Sequence, residues 1–459
     1  MIIDKTLKLF ALALMLLIGV GGVYVARGLY ADGSFWLFEM LSRGGFYIFD
    51  PHRAYAQILM QMPVIVSLEL GVQNLNFLIR VHSIGFVFVP LIFWIAALAL
   101  QINNRLFWLF LMAFTVTYLR SNFFAVGEFN ITYGMAAFCA SILLRQNIPL
   151  ALSALLMFAS LVLIRSYEMT LFLGPLLAGL ASLRLLKEKQ DLALTRICII
   201  VSLLFFLISS YIGFQSVFFQ RPYDARSTAN LGALTEIHLL YLVTIPLMAS
   251  VLATASGKIC KCITFFLTGI LVILYVIYTL RWDQNHISFE YLSYAYRALC
   301  GLLLGQLLVC AAYIHYTQCS LNRKNSLFWN TCLGIIASAF FISLSLPMLS
   351  STNKFHIWLK RFEATALEIT TNTPINLTDI NMNHGLNQGS NWMWGNVYTS
   401  ILLRGDATAV ILNNTQCECL DAPDKLLIER LQGGSTSNDD SHFKERTLNG
   451  LKRTSKLLN

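Results

Sequence analysis

At 459 residues, 56% hydrophobic and only 12% charged, with a mean hydropathy of +0.63, the chain carries about half the charge density of an average soluble domain. That balance excludes a soluble globular protein and fits a polytopic membrane protein whose apolar runs of about 20 residues cross as helices. The net charge of +9 is scattered over short loops with no basic run interleaved with aromatics, which excludes nucleic acid as a partner.

In chain order, apolar runs predict crossings near residues 8–27, 82–101, 105–120, 130–146, 149–165, 168–184, 193–216, 237–255, 262–280, 295–317 and 328–349. That makes about eleven, in an all-α membrane protein. A further apolar stretch, 54–73, contains Pro63. The basic loops "RLLKEKQD", "GKICK" and "NRK" are cytoplasmic under the positive-inside rule, and so is the N-terminus with Lys5 and Lys8. Helix parity then keeps 54–73 from crossing fully, so it is re-entrant or lies on the outer surface. The N-terminal segment is read as a retained crossing, since "VARG" is a poor cleavage site for a signal peptide.

The two kinds of basic residue behave differently under this topology. All seven lysines before residue 350 fall on the inner side, whereas ten of fifteen arginines fall on or near the outer side, among them Arg27, Arg53, Arg165, Arg221 and Arg297. An arginine at a helix end can simply snorkel to the interface. As a set, outward guanidiniums suit phosphate, whose oxygens they bind in bidentate pairs.

Ten of thirteen carboxylates before residue 350 also face outward. Asp32 follows the first crossing in "ADGSFWLFEML", where it reads as a helix N-cap, a role compatible with catalysis. The helix behind it shows Phe35, Trp36, Phe38 and Leu41, suited to lying in the bilayer interface. Glu128 sits in the short loop "SNFFAVGEFNITYG", as a capping acid or a site residue. Arg165, Tyr167 and Glu168 share a tight turn at membrane depth; Arg165 and Glu168 at i, i+3 form either a self-neutralising pair or part of a site. Two longer outer loops, 218–238 and 281–298, carry Arg221 and then Trp282, Asp283, His286 and Glu290, as an aromatic belt or a sugar-binding surface. His286 with its acidic neighbours could take a divalent cation, but H-x-x-x-H spacing is absent and no metal ligand is assigned. The ten cysteines show no paired C-x-x-C zinc spacing.

From residue 350 the composition turns polar. "KFHIWLKRFEATALEI" reads as an amphipathic helix on the membrane surface, "NWMWGNVYTSILLRGDATAVILNN" as a Trp-rich stretch followed by a strand, and 432–459 as a flexible polar tail. The expected division is therefore a transmembrane module over 1–349, with a first outer loop at 28–81, and a small extracytoplasmic α+β region over 350–431.

A first crossing, an outer loop with an early acid and two juxtamembrane helices, many hydrophobic helices and an extracytoplasmic C-terminus together resemble the C-type glycosyltransferase superfamily (GT-C). The resemblance covers roughly residues 1–350 as architecture. Family first loops often carry an acidic pair; here Asp32-Gly33 is the nearest position, with Glu39 seven residues on. The resemblance implies a multi-pass enzyme of the bacterial inner membrane. It would move a sugar, with inversion, from a polyprenyl-phosphate donor to a cell-envelope acceptor, with Asp32 as base. Topology adds Glu128 and Glu168 as further catalytic acids, Arg165, Arg221 and Arg297 as donor-phosphate ligands, and Glu39, Arg53, Tyr167, Trp282 and His286 as substrate contacts. The chain lacks a glycine-rich phosphate loop and a D-x-D in a soluble α/β domain, which argues against a nucleotide-sugar donor. Other classes that fit a polytopic chain are a transporter or flippase of lipid-linked or anionic substrates, a polysaccharide polymerase or ligase, and a non-catalytic assembly factor; internal repeats, which a transporter would show, are not evident.

Overall fold

The computed structural model describes residues 2–119, 121, 127–187, 192–219, 237–254, 257–282, 294–317, 323–368, 375–376, 395–404 and 411–412. Among these, seven helices are long and apolar enough to cross a membrane: Asp4–Tyr24, Leu75–Leu100, Thr170–Lys187, Ala193–Phe218, Ile259–Ile277, Arg297–Thr317 and Asn330–Leu367. Three shorter apolar helices accompany them, Leu106–Leu119, Leu150–Leu163 and Leu240–Thr254. The chain is a helical, multi-pass membrane protein.

The first helix, α1 (Ile2–Tyr24), is built into the bundle through its start. The Lys8 ammonium pairs with Asp4 at 2.9 Å, donates to the carbonyls of Ile102 (3.0 Å) and Asn104 (3.2 Å), and lies over the Phe107 and Trp108 rings. Asp4 also accepts from the Trp108 indole at 3.2 Å. A cation 3% exposed is tolerated because every direction it faces supplies negative charge or an aromatic face.

The segment after α1 forms two short helices, α2 (Asp32–Arg43) and α3 (Ala54–Glu69). At 1.5 Å per residue, the 16 residues of α3 span about 24 Å, short of the ~30 Å hydrocarbon core. The next helix starts earlier than the apolar run suggested. It runs as α4 (Leu75–Ser83), a π-helical turn Ile84–Phe88 and α5 (Val89–Leu100). After α6 (Leu106–Phe114) and a second π turn, α7 (Glu128–Leu143) is buried at every residue and forms the middle of the bundle. It packs closely on α5: a Cβ at Gly134 would lie 2.9 Å from the Pro90 carbonyl oxygen, and Gln101 donates to the Ser141 carbonyl at 2.9 Å. Next come α8 (Leu150–Leu163), α9 (Thr170–Lys187) and α10 (Ala193–Phe218). Small residues bring α9 and α10 together, with Gly174 against the Phe206 carbonyl and Gly213 against the Leu171 amide.

Two expectations change here. The last crossing does not stop at 349 to give a separate surface helix: Arg323–Glu368 is one 46-residue helix, running through Pro347 and about 69 Å long at helical rise. The expected boundary at 349/350 falls inside it. Its distal third buries Phe355, Trp358, Leu359 and Phe362 in a second apolar core with Tyr30, Leu37, Met40, Val64 and Leu78 of the first-loop region. The helix α2 likewise does not lie open in the bilayer interface. Trp36 and Phe38 are each 3% exposed: the Trp36 ring packs on Phe86, and the helix Gly395–Arg404 sets Tyr398 4.9 Å from Phe35 and 5.4 Å from Phe38 between ring centroids. The segment after the Trp-rich stretch forms the helix Gly395–Arg404 and then a short strand, Ile411–Leu412, which pairs in parallel with Ile375–Asn376.

Candidate functional site

Three separate segments of chain bring charge together at one end of the bundle. Arg53, at the start of α3, is 5% exposed and donates from Nε to Glu168 Oε1 at 2.7 Å, with its NH2 on the same oxygen. The same Nε lies 3.4 Å from Asp50 Oδ2, and the guanidinium lies 5.0 Å from the Tyr167 ring centre. The first turn of a helix leaves backbone N–H groups without partners. Here the Tyr55 and Ala56 amides both donate to the Arg165 carbonyl, at 2.9 and 3.4 Å, which hooks the 165–170 turn to the head of α3. Arg165 thus serves through its backbone. Its side chain is exposed, and Glu168 pairs with Arg53 rather than with Arg165.

Glu128 opens α7 and is 1% exposed. Gln57 donates to its Oε1 at 3.0 Å, while Oε2 is buried without a hydrogen-bond partner among the described residues. The carbonyl of Gln57 turns the other way and accepts the Phe49 and Asp50 amides at 3.1 and 3.4 Å. One turn on, Gln61 closes a pair of bonds with the backbone of Tyr47, accepting at 2.8 Å and donating at 2.6 Å. These two fully buried glutamines, at i, i+4, tie the 47–50 segment to α3 and one of them orients Glu128. Sequence reasoning passed over both; the signal was a pair of carboxamides one turn apart in the otherwise apolar "AYAQILMQMPV".

An aromatic wall stands beside the charges. Phe129 lies 5.8 Å from Tyr167 and 5.2 Å from the Arg297 guanidinium, and the Tyr133 hydroxyl donates to the Arg297 carbonyl at 2.6 Å. The Phe86 ring links this cluster to the Asp32 region: Trp36 of α2 meets it edge-on at 5.7 Å, and the backbone of Gly127 packs on its other atoms.

Asp32 is 8% exposed and is the first residue of α2, with Ala31 rather than Asp32 at the cap position. Glu39 points elsewhere and pairs with Arg43 at 2.8 Å. Arg27 lies on the short turn Arg27–Leu29, its guanidinium 4.6 Å from the Tyr30 ring; burial pushes it down to about 10, so it still carries its charge at neutral pH. Trp282 is the last residue of the helix Lys258–Trp282, while Arg221 and His286 lie outside the described residues. The structure therefore gathers Glu128, Glu168, Arg53, Tyr167 and Arg297 around Phe129, and sets Asp32 beyond Phe86.

Among the described residues no group of three or more His, Cys, Asp or Glu side chains could hold a metal ion; Asp283, His286 and Glu290 lie outside them. Comparison with protein-family models, curated proteins and solved structures gives no match for this chain.

Proposed function

We propose that the chain is an integral-membrane glycosyltransferase that takes a sugar from a polyprenyl-phosphate donor and passes it to a cell-envelope acceptor on the extracytoplasmic face. The observation that carries this reading is the convergence of Arg53, Glu128 and Glu168, from three separate segments, on an aromatic wall that also holds Arg297. Inverting transfer needs a carboxylate to remove the acceptor proton and positive charge to receive the leaving phosphate. A lipid-linked phosphate would sit at headgroup depth, where Arg297 is buried beside Phe129. The exposed Arg165 side chain would add positive charge to the donor phosphate, and Arg221, outside the described residues, is assigned to the same phosphate.

In this reading Asp32, at the head of α2, is the base. The unpartnered oxygen of Glu128 accepts a hydrogen bond from a sugar hydroxyl, and Glu168 holds Arg53 in place. The reading takes α7 and the ten apolar helices as eleven crossings, with the N-terminus in the cytoplasm and a C-terminal α+β region outside the bacterial inner membrane; the apolar length of these helices supports it. The test compares envelope glycans of a deletion strain complemented with wild type, Asp32→Asn or Glu128→Gln at matched protein levels. A lost base lowers transfer by about 10²–10⁴-fold. Wild-type glycan in the Asp32→Asn strain would remove Asp32 from the chemistry, and a deletion strain with unaltered glycans would remove the enzyme reading altogether.

A further inference from the structure

The segment from Ala26 to Gly33 carries a backbone that local preference alone would not choose. Ala26 has φ 56° and ψ 42°, and Ala31 has φ 54° and ψ −124°; the second conformation is one glycine adopts and side chains rarely do. Such residues persist only where surrounding contacts over-determine them, and they cluster where geometry matters to function. Two adjacent residues near the end of α4 hold this segment by hydrogen bonds from outside it.

His82 is fully buried, and its Nε2 lies 2.8 Å from the Gly33 carbonyl oxygen. A carbonyl can only accept, so Nε2 carries the proton and donates. The His82 ring also packs on Phe86, with 4.6 Å between centroids. Ser83 accepts the Gly28 amide on its hydroxyl at 3.0 Å while donating to the Ile79 carbonyl at 3.0 Å, which uses the hydroxyl in both directions. The glycines make this approach possible. A Cβ at Gly28 would fall 2.8 Å from the Ser83 Cα, and one at Gly33 would fall 1.8 Å from the Gly28 carbonyl oxygen. Ser83, Gly28 and Gly33 are thus three backbones stacked in contact, with Asp32 immediately before the last of them.

We propose that His82 and Ser83 are positioning residues that hold the strained 26–33 segment and thereby fix where Asp32 presents its carboxylate. The proposal rests on the reading of Asp32 as the base. Neither residue touches substrate; each acts through the backbone on either side of Asp32.

The test uses the full chain in lipid nanodiscs for hydrogen exchange and the complemented deletion strain for glycan output. In His82→Leu the donor to Gly33 is lost, exchange in a peptide covering 26–34 rises, and glycan output falls about tenfold, the effect of one buried hydrogen bond. His82→Gln, whose carboxamide N–H can donate to the same carbonyl, restores most of both. Ser83→Ala leaves the Gly28 amide unmatched and shows the same paired loss even if His82→Leu fails to fold. Unchanged exchange in the His82→Leu and Ser83→Ala variants overturns the clamp. Raised exchange with full glycan output, while Asp32→Asn is inactive, overturns the positioning role and leaves a structural contact. An active Asp32→Asn variant overturns the base assignment instead, and the positioning role falls with it.

Discussion

The pair between Arg53 and Glu168 makes the sharpest energetic prediction. The Arg53 side chain is 6% exposed and that of Glu168 11%, so neither charge has much water to turn to if its partner is removed. Breaking a buried pair from one side costs about 3–5 kcal/mol, because it strands the remaining charge. The two sides are not equivalent here. In Arg53→Met the Glu168 carboxylate loses the guanidinium at 2.7 Å, and Asp50 and the Tyr167 ring lose it as well, so the full ~3–5 kcal/mol applies. In Glu168→Gln the guanidinium keeps Asp50 at 3.4 Å, and the new carboxamide oxygen can still accept from Nε. That variant gives up only the charge assistance of the two bonds to one oxygen, about 1–2 kcal/mol.

The double variant Arg53→Met/Glu168→Gln strands no carboxylate at position 168, so it is expected to be less destabilised than Arg53→Met alone. The measurement is unfolding free energy by SDS titration in mixed micelles for wild type, both single variants and the double, analysed as a mutant cycle. The expected outcome is a cost for Arg53→Met at least twice that for Glu168→Gln, with the second substitution partly offsetting the first. Equal single costs, or strict additivity, would refute the claim that Arg53 is the hub and Glu168 one of two anions around it.

Other expectations follow from single contacts. Gln57→Leu removes the donor to Glu128 and the acceptor for two loop amides, and should cost about 1–3 kcal/mol with faster exchange at residues 49 and 50. Gly33→Ala drives a Cβ to 1.8 Å from a carbonyl oxygen and should cost about 1–3 kcal/mol or more, whereas Gly45→Ala, with no atom within 4 Å, should leave folding yield unchanged in a parallel size-exclusion assay. Tyr398→Ala strips two ring contacts from α2 and should cost about 3–5 kcal/mol locally, read as faster proteolysis in the helix Gly395–Arg404 with the membrane bundle intact.

The membrane class was legible because span length and apolarity are set by the bilayer, and both show in any 20-residue window. Glu128 was legible for a related reason, since one acid in a short loop between apolar runs demands an explanation. Its partner was not: α3 reads as an apolar helix until its two glutamines are noticed, and nothing in "AYAQILMQMPV" says that they face a loop and an acid. The pairing of Glu168 followed the same pattern. Arg165 stands one turn away in sequence and looked like the natural cation, but the actual partner lies 115 residues upstream. Local spacing proposes local pairs, and a polar side chain in an apolar body takes whichever partner the packed helices deliver.

The exposure of α2 failed for the same physical reason with a larger consequence. An amphipathic segment beside a membrane has two ways to bury its apolar face, in lipid or in protein, and its own sequence cannot distinguish them. Here the cover comes from both the distal end of Arg323–Glu368 and the helix Gly395–Arg404, more than 300 residues downstream. The 26–81 region and the C-terminal region are therefore halves of one core: Phe355 packs edge-on against Tyr30 at 5.6 Å, and Leu402 joins the cluster that contains Leu37 and Met40. Asp32 thus heads a helix whose apolar face is buried by the last part of the chain. A chain ending at residue 349 retains the acid, His82 and Ser83, yet leaves Tyr30, Leu37 and Met40 without their cover. Such a truncation should insert in the membrane and fail in glycan output, with rapid exchange across 26–43. Slow exchange there would mean that the first loop folds on α4 alone, and that its C-terminal cover serves something other than the shape of the site.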